Sequence, residues 1–187
     1  MEIISTELEG LKLIKPEIIK DARGYFMESF KLNFLNEHFP NINFIQENES
    51  KSTYGILRGL HFQRPPFDQT KLVRVVYGKV LDVAVDLRIG SPTLGQYKSF
   101  ILSEENNLQL MIPKGFAHGF VVLSKECIFQ YKVDEYYNKS SEDHISFDDR
   151  TLNINWIINE SELKLSRKDK VQSSFENYLL GQNKFKF

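Results

Sequence analysis

Two of the four histidines stand among apolar residues, where an imidazole side chain needs a partner. His61 lies in the run GLHF, and His118 lies in PKGFAHGFVV. An unpartnered imidazole in such surroundings is costly, so each should have a hydrogen-bonded neighbour. Either histidine could be a satisfied core residue or a functional acid or base, because histidine titrates near neutral pH. The other two, His38 and His144, lie in polar sequence and are predicted to be solvated surface residues.

Basic residues accompany His61. Arg58 precedes it on the same predicted strand, and Lys71 begins the next strand. Strict alternation sends Arg58 and His61 to opposite faces of a regular strand. Gly59 lies between them and is a natural place for a bulge or twist, so we predict an irregularity there that turns Arg58 toward the same ligand.

Three further polar features are not explained by core packing. Gln46 and Asn48 share one face of a strand, which is either the solvated face of an edge strand or an inward face if Phe44 marks the buried side. Tyr131 could be a core tyrosine with its hydroxyl bonded. Asp169 could be a helix N-terminal acid or a surface charge.

The loop around His118 resembles the second motif of the cupin barrels. Its spacing is P-x-G-x-x-H, with Pro113, Gly115 and His118 at the three fixed positions. The first cupin motif would normally offer H-x-H and a later glutamate as metal ligands, whereas GLHFQ supplies one histidine. We therefore expect the site to work without a metal.

Strands must position most of these residues. Fifteen phenylalanines and eight tyrosines, with many valines and isoleucines, favour an all-β sandwich or barrel. The run KLVRVVYGKVLDVAVDLR predicts a hairpin that turns near residues 77–79, with the leucine and valine face of its second arm packed. The run GFVVLSKECIFQYKV predicts two strands that separate at residues 124–126. Helices are predicted only in SFKLNFLNEHF and after Ser161.

Composition limits the partners and the compartment. The 24 Lys and Arg residues nearly balance 25 Asp and Glu residues, so no long-range field favours nucleic acid or an anionic membrane. The single cysteine, Cys127, excludes an internal disulfide framework and suits a reducing compartment. We find no signal peptide and no apolar run of membrane-spanning length, and expect a cytoplasmic protein. The length predicts one domain over residues 1–187, partly helical after about residue 160.

Seven co-linear stretches of the chain are similar to the dTDP-4-dehydrorhamnose 3,5-epimerase family. They run from about Leu11 to Asp169 and read DARGYFMESF, FIQENESKS, GILRGLHFQ, KLVRVVYGKVLDVAVDLR, IPKGFAHGF, QYKVDEYY and LSRKD. The resemblance implies a cupin-type jelly-roll β-barrel with a few short peripheral helices, usually a homodimer. It also implies 3,5-epimerisation of a nucleotide-linked 4-keto-6-deoxyhexose, from dTDP-4-dehydro-6-deoxy-D-glucose to dTDP-4-dehydro-L-rhamnose, without metal or cofactor.

The same resemblance assigns residues to roles. His61 is implied to be the base and Tyr131 the proton donor, with Asp169 paired to His61 and Lys71 near the C4 oxygen of the sugar. Residues implied to line the substrate site are Arg23, Phe26, Glu28, Gln46, Asn48, Arg58, His118, Tyr137, Glu142, Arg167 and Lys168, of which Tyr137 is expected to stack on the nucleotide base.

Two departures, one in FDQTK and the other in the rather polar loop NKSSEDHIS, leave the exact sugar open. Asp68 and Thr70 stand in FDQTK, where the family commonly has a small residue and a glycine before the lysine. The alternatives on this scaffold are epimerases that invert only C3 or only C5, or that act on another sugar nucleotide such as a GDP-linked heptose. Rivals of other classes are a non-catalytic sugar-nucleotide-binding barrel and a metal-dependent cupin oxygenase.

Overall fold

Most of the chain is built from short antiparallel strands. The computed structural model describes residues 1–170, 173–181 and 184–186. The strands are β1 (Glu2–Ser5), β2 (Lys12–Lys15), β3 (Ile19–Asp21), β4 (Gly24–Phe26), β5 (Gln46–Thr53), β6 (Leu57–Gln63), β7 (Lys71–Tyr77), β8 (Lys79–Asp86), β9 (Tyr97–Ser103), β10 (Gln109–Ile112), β11 (Phe116–Val122), β12 (Glu126–Val133) and β13 (Glu142–His144). The helices are α1 (Leu32–His38), α2 (Phe175–Leu180) and a 3₁₀ turn at Glu160–Glu162.

The strands form two large sheets and one small hairpin. The six-stranded sheet has the order β1-β2-β10-β7-β12-β5, and the five-stranded sheet has the order β13-β6-β11-β8-β9. Within the described residues, strands β3 and β4 pair only with each other. This arrangement confirms the predicted all-β fold of the cupin jelly-roll type, in which the two large sheets remain open rather than closing into one barrel.

The predicted hairpin between β7 and β8 is wrong, although both strands form where the sequence indicates. Strand β7 pairs with β10 and β12, while β8 pairs with β11 and β9 in the other sheet. Gly78 makes the connection with a φ of 83°, and a Cβ there would lie 2.1 Å from the carbonyl oxygen of Glu126. The chain therefore crosses from one sheet to the other at this glycine.

Both faces of β8 are packed, not the leucine and valine face alone. Val80 and Ala84 belong to a cluster between the two sheets, together with residues of β7, β10 and β12. Leu81, Val83 and Val85 belong to a second cluster on the other face of the five-stranded sheet. The second cluster is completed by Trp156, Phe175, Tyr178 and Phe185 from the C-terminal part of the chain. The five-stranded sheet is therefore covered on both faces.

The remaining predicted elements lie around the sheets. Helix α1 packs Leu35 against Ile14, Leu72 and Met111 of the six-stranded sheet. The predicted separation at residues 124–126 is confirmed, because β11 ends at Val122 and β12 begins at Glu126. No helix in the described part of the chain is both long and apolar enough to span a membrane.

Candidate active site

Strand β6 changes register between Arg58 and His61. Across β11, His61 is opposite His118 and Arg58 is opposite Phe120, so β6 has one residue more than its partner in this interval. Gly59 has a φ of 144°, and a Cβ there would lie 2.5 Å from the Cα of Gly119. The predicted irregularity is therefore confirmed, and both Arg58 and His61 line one cavity.

This cavity has a volume of about 680 Å³, within the usual range for small-molecule sites. Strands of both large sheets and the segment 164–169 form its walls. Of the residues implied by the resemblance, its lining contains Asn48, Arg58, His61, Lys71, His118, Tyr131, Tyr137, Glu142, Lys168 and Asp169. The fold thus brings together residues that are up to 121 positions apart in the chain, from Asn48 to Asp169.

His61 is hydrogen-bonded to a buried carboxylate. Its Nε2 lies 2.6 Å from Oδ1 of Asp169, and Ser166 donates its hydroxyl to Oδ2 of the same residue. Burial opposes ionisation of Asp169, but the hydrogen bonds from His61 and Ser166 outweigh it and lower the pKa of the carboxyl. The carboxylate therefore fixes the imidazole ring of His61 at the cavity wall.

A second imidazole–carboxylate pair contributes one of its members, His118, to the cavity lining. His118 Nε2 lies 3.0 and 2.9 Å from the two carboxylate oxygens of Asp82, and both residues are buried. Sequence reasoning missed Asp82, although a charged residue in the middle of a predicted core strand was a usable signal. Among the described residues, no group of three or more His, Cys, Asp or Glu side chains could hold a metal ion.

Lys71 and Tyr131 are two further groups in the cavity that can hold or exchange protons. The ammonium of Lys71 lies 3.5 Å from the carbonyl oxygen of His61. Burial lowers the pKa of Lys71 to about 8, while the charges of Asp82 and Glu142 act in the opposite direction. Burial raises the pKa of Tyr131, so its hydroxyl keeps its proton at neutral pH. Each side chain therefore has a hydrogen to donate into the cavity.

Glu142 connects strand β13 to two side chains at the cavity mouth, those of Tyr137 and Lys168. It lies in the edge strand β13 opposite Gln63 of β6. Tyr137 donates its hydroxyl to Oε2 of Glu142 at 2.8 Å, and the ammonium of Lys168 donates to Oε1. Burial opposes ionisation of Glu142, but the hydrogen bonds from Lys168 and Tyr137 lower its pKa.

Five residues implied to line the site do not line this cavity. Arg23, Phe26 and Glu28 lie in or just after the exposed hairpin β3–β4, where Arg23 pairs with Asp21 and Glu28 with Lys31. The other two are Arg167, which lies between the lining residues Ser166 and Lys168, and Gln46, which donates to the side chain of the lining residue Asn48 at 2.7 Å.

The structure also places strand β5 and the two histidines that were predicted to be solvated. Strand β5 is an edge strand of the six-stranded sheet, and its Asn48 nevertheless turns to the cavity. His38 is exposed as predicted, whereas His144 is half-buried in β13, opposite His61, and is less exposed than its charged sequence predicts. The charged run SSEDHISFDD has no strand-like pattern, although its first half contains β13 of the five-stranded sheet.

Comparisons with known proteins agree with this geometry. A sequence model of the family described as dTDP-4-dehydrorhamnose 3,5-epimerase matches residues 5–177. The enzyme of that name from Shigella flexneri is 48% identical over 159 residues, which are 84% of this chain and 88% of the relative. The one from Methanothermobacter thermautotrophicus is 46% identical over 168 residues, 89% of this chain and 90% of the relative.

A solved structure extends the similarity to the whole fold. The crystal structure of the dTDP-6-deoxy-D-glucose-3,5-epimerase of Legionella pneumophila, in complex with dTDP-4-keto-L-rhamnose, superposes with a TM-score of 0.94. The two chains are 44% identical, and the similarity covers 100% of this chain and 98% of the other.

Proposed function

Because the chain belongs to the dTDP-4-dehydrorhamnose 3,5-epimerase family, we propose that its cavity converts dTDP-4-dehydro-6-deoxy-D-glucose to dTDP-4-dehydro-L-rhamnose by acid–base chemistry. The observation that carries the proposal is the cavity shared by the His61–Asp169 pair, Lys71 and Tyr131. These groups correspond to a base with its orienting carboxylate, a cation and a proton donor. The protein is accordingly an isomerase.

The reaction follows from the acidity of the substrate. The C4 ketone acidifies the protons on C3 and C5, because each carbanion is delocalised onto the C4 oxygen as an enolate. His61 removes the proton from one face, and the electron pair of the C–H bond moves to the oxygen. Tyr131 then donates its proton to the opposite face and inverts the centre. The same removal and donation of a proton can invert both C3 and C5.

Lys71 stabilises the charge that forms on the C4 oxygen. A preorganised cation in a water-poor cavity is one of the largest contributions to such reactions. The stacked pair Phe120–Phe129, with ring centroids 4.2 Å apart, makes part of the cavity wall apolar. Arg58 is exposed at the cavity, where its guanidinium can bind diphosphate oxygens.

Replacing His61 by asparagine tests the base. His61→Asn keeps much of the side-chain shape but removes the proton acceptor, so epimerisation and exchange of the C3 and C5 protons with D₂O should both fall roughly 10²- to 10⁴-fold. NMR of the 4-keto sugar nucleotide measures both. His144→Asn is the matched control, since His144 lies opposite His61 but outside the cavity.

Each outcome of this experiment has a meaning. Exchange retained in His61→Asn but lost in His118→Asn would make His118 the base and overturn the assignment. Deuterium at only one of C3 and C5 in the wild-type product would identify an epimerase that inverts a single centre. Binding of the sugar nucleotide with no exchange at all would identify a non-catalytic binding protein.

We also propose that the protein acts as a homodimer, in which the β3–β4 hairpin of one copy completes the cavity of the other. Arg23, Phe26 and Glu28 are implied by the family resemblance to line the ligand site, yet they lie outside the cavity of their own chain. The hairpin exposes apolar side chains, with Phe26 64% exposed, which is typical of a surface that contacts a partner. Light scattering measures the mass, and a monomer would overturn this proposal.

A further inference from the structure

Glu142 lies in the same cavity as the three groups proposed to carry out the reaction. Its strand β13 pairs with β6 at Gln63, two residues from His61, so it shares the cavity with His61, Lys71 and Tyr131. The carboxylate is held on one oxygen by Tyr137 and on the other by Lys168. Lys168 directly precedes Asp169, the partner of His61.

We propose that Glu142 is a positioning residue whose carboxylate keeps Lys71 in its charged form, and that Lys168 neutralises this carboxylate until the diphosphate of a sugar nucleotide draws the lysine away. This inference rests on the proposed function, because the charge on Lys71 matters for stabilising an enolate oxygen. It gives Lys168 a task besides the substrate contact that the family resemblance implies.

The charge of Lys71 is sensitive to its neighbours. Burial brings its pKa to about 8, and the charges of Asp82 and Glu142 are what oppose a further fall. Both carboxylates are paired with cationic or imidazole groups, Asp82 with His118 and Glu142 with Lys168. A carboxylate that loses its counter-ion exerts a stronger field on Lys71 and raises its pKa.

Of the two pairs, only the one at the mouth can exchange partners. The side chain of Lys168 is 48% exposed, whereas that of His118 is 9% exposed. A diphosphate carries more negative charge and more acceptor oxygens than a carboxylate, so it competes well for an ammonium. The Tyr137 hydroxyl still donates to Glu142 when Lys168 leaves, so the carboxylate keeps a hydrogen-bonded partner.

Several other ionisable groups surround Lys71. Those that line the cavity with it are Glu49, Arg58, His61, His118, Tyr131, Tyr137, Glu142, Lys164, Lys168 and Asp169, and Asp82 adds a charge from β8. Lys164, the other lysine of the cavity mouth, donates to the carbonyl oxygen of Tyr54 rather than to a carboxylate. It is therefore a matched control for Lys168.

A direct test measures the pKa of Lys71 without turnover. The full chain is acylated with a trace of acetic anhydride across a pH series, and labelling of Lys71 is quantified by peptide mass spectrometry. Glu142→Gln should lower the midpoint by about one pH unit, and Lys168→Gln should raise it by a similar amount. Lys164→Gln should leave it unchanged. Shifts in opposite directions cannot both come from loss of folding.

Inorganic pyrophosphate tests the exchange of partners. It should raise the Lys71 midpoint in the wild type by drawing Lys168 away from the Glu142 carboxylate. It should not do so in Glu142→Gln, which has no carboxylate at this position. An equal rise in both proteins would mean that the charge of the pyrophosphate acts directly on Lys71, and would overturn the exchange. A midpoint unaffected by Glu142→Gln would overturn the role of Glu142.

Kinetics supply a second readout. The pH dependence of kcat/KM reports the free enzyme and that of kcat reports the substrate complex. In the wild type, the pKa of the alkaline limb should be higher in the kcat profile than in the kcat/KM profile. In each variant the two profiles should give the same pKa, which should be low in Glu142→Gln and high in Lys168→Gln. Separate limbs in Glu142→Gln would contradict the inference. A wild type without epimerase activity would defeat the proposed function, while the labelling result would still decide the role of Glu142.

Discussion

At the scale of single residues, the two histidines of the cavity differ in access although each is held by a carboxylate. The His61 side chain is 28% exposed and that of His118 is 9% exposed. Asp82 holds His118 through both oxygens, whereas Asp169 shares its oxygens between His61 and Ser166. The more accessible imidazole is the one we expect to meet the proton on the sugar, and His118 is expected to orient the substrate.

Tyr131→Phe separates delivery of the proton from its removal. The variant keeps the ring and loses the hydroxyl, so KM should change little while inversion falls roughly 10²- to 10⁴-fold. His61 still removes the proton, so in D₂O the recovered substrate should gain deuterium faster than inverted product forms. NMR of both species measures the ratio.

The ratio also defines what would contradict this role. An equal fall in exchange and inversion would mean that Tyr131 orients the substrate or stabilises the enolate. Full inversion in the variant would make it a core tyrosine only. Tyr77→Phe, at the exposed end of β7, is the control for loss of a hydroxyl outside the cavity.

At the scale of elements, the bulge between β6 and β11 allows one strand to present both Arg58 and His61. Gly59 allows it because its backbone has a φ of 144° and approaches Gly119 closely. The neighbouring strands β13 and β11 then fix β6 on both sides. The geometry of the site therefore depends on a backbone contact as well as on side chains.

Gly59→Ala should lower the free energy of unfolding by roughly 2 kcal/mol or more, because a Cβ combines a disfavoured φ with a backbone clash. Gly24→Ala is the matched control, with a φ of 128° but no atom within 4 Å of the added Cβ. Denaturant unfolding measures both variants. Equal losses would show that the contact with Gly119 contributes nothing beyond the backbone angle.

Much of the fold could be predicted from local patterns, and the errors have physical causes. The bulge at Gly59 was predictable because alternation conflicted with the types of Arg58 and His61. The crossing at Gly78 was not, since a glycine turn between two strands has the same local pattern whether the strands pair or enter different sheets. The half-burial of His144 was not predicted because β13 has only three residues, too few for a periodic signal. Asp82 could have been noticed as a charge in a predicted core strand, but local sequence does not reveal its partner His118, which is 36 residues away.

At the scale of the whole molecule, the hairpin β3–β4 is the feature that a single chain leaves unexplained. A complementation experiment tests whether it acts on a second copy. His61→Asn and the double variant Arg23→Ala/Phe26→Ala should each have little activity alone. Co-expressed, they should regain about a quarter of the wild-type activity, because half of randomly formed dimers are mixed and each has one intact site.

The same experiment can fail in an informative way. If the hairpin served its own chain, the mixed dimer would contain no intact site and activity would stay at the level of the two parents. A wild-type level of activity in the hairpin variant would instead remove Arg23 and Phe26 from the site. The folding of each variant is checked by its unfolding transition.

The division between central and edge strands determines where the fold tolerates substitution. The groups that move protons come from β6, β7 and β12, each flanked by two strands, whereas Asn48 and Glu142 come from the edge strands β5 and β13. Substitutions at partly solvated edges cost little stability, while those in central strands disturb packing. Substitutions of Asn48 or Glu142 are therefore expected to cost the fold less stability than substitutions of His61, Lys71 or Tyr131.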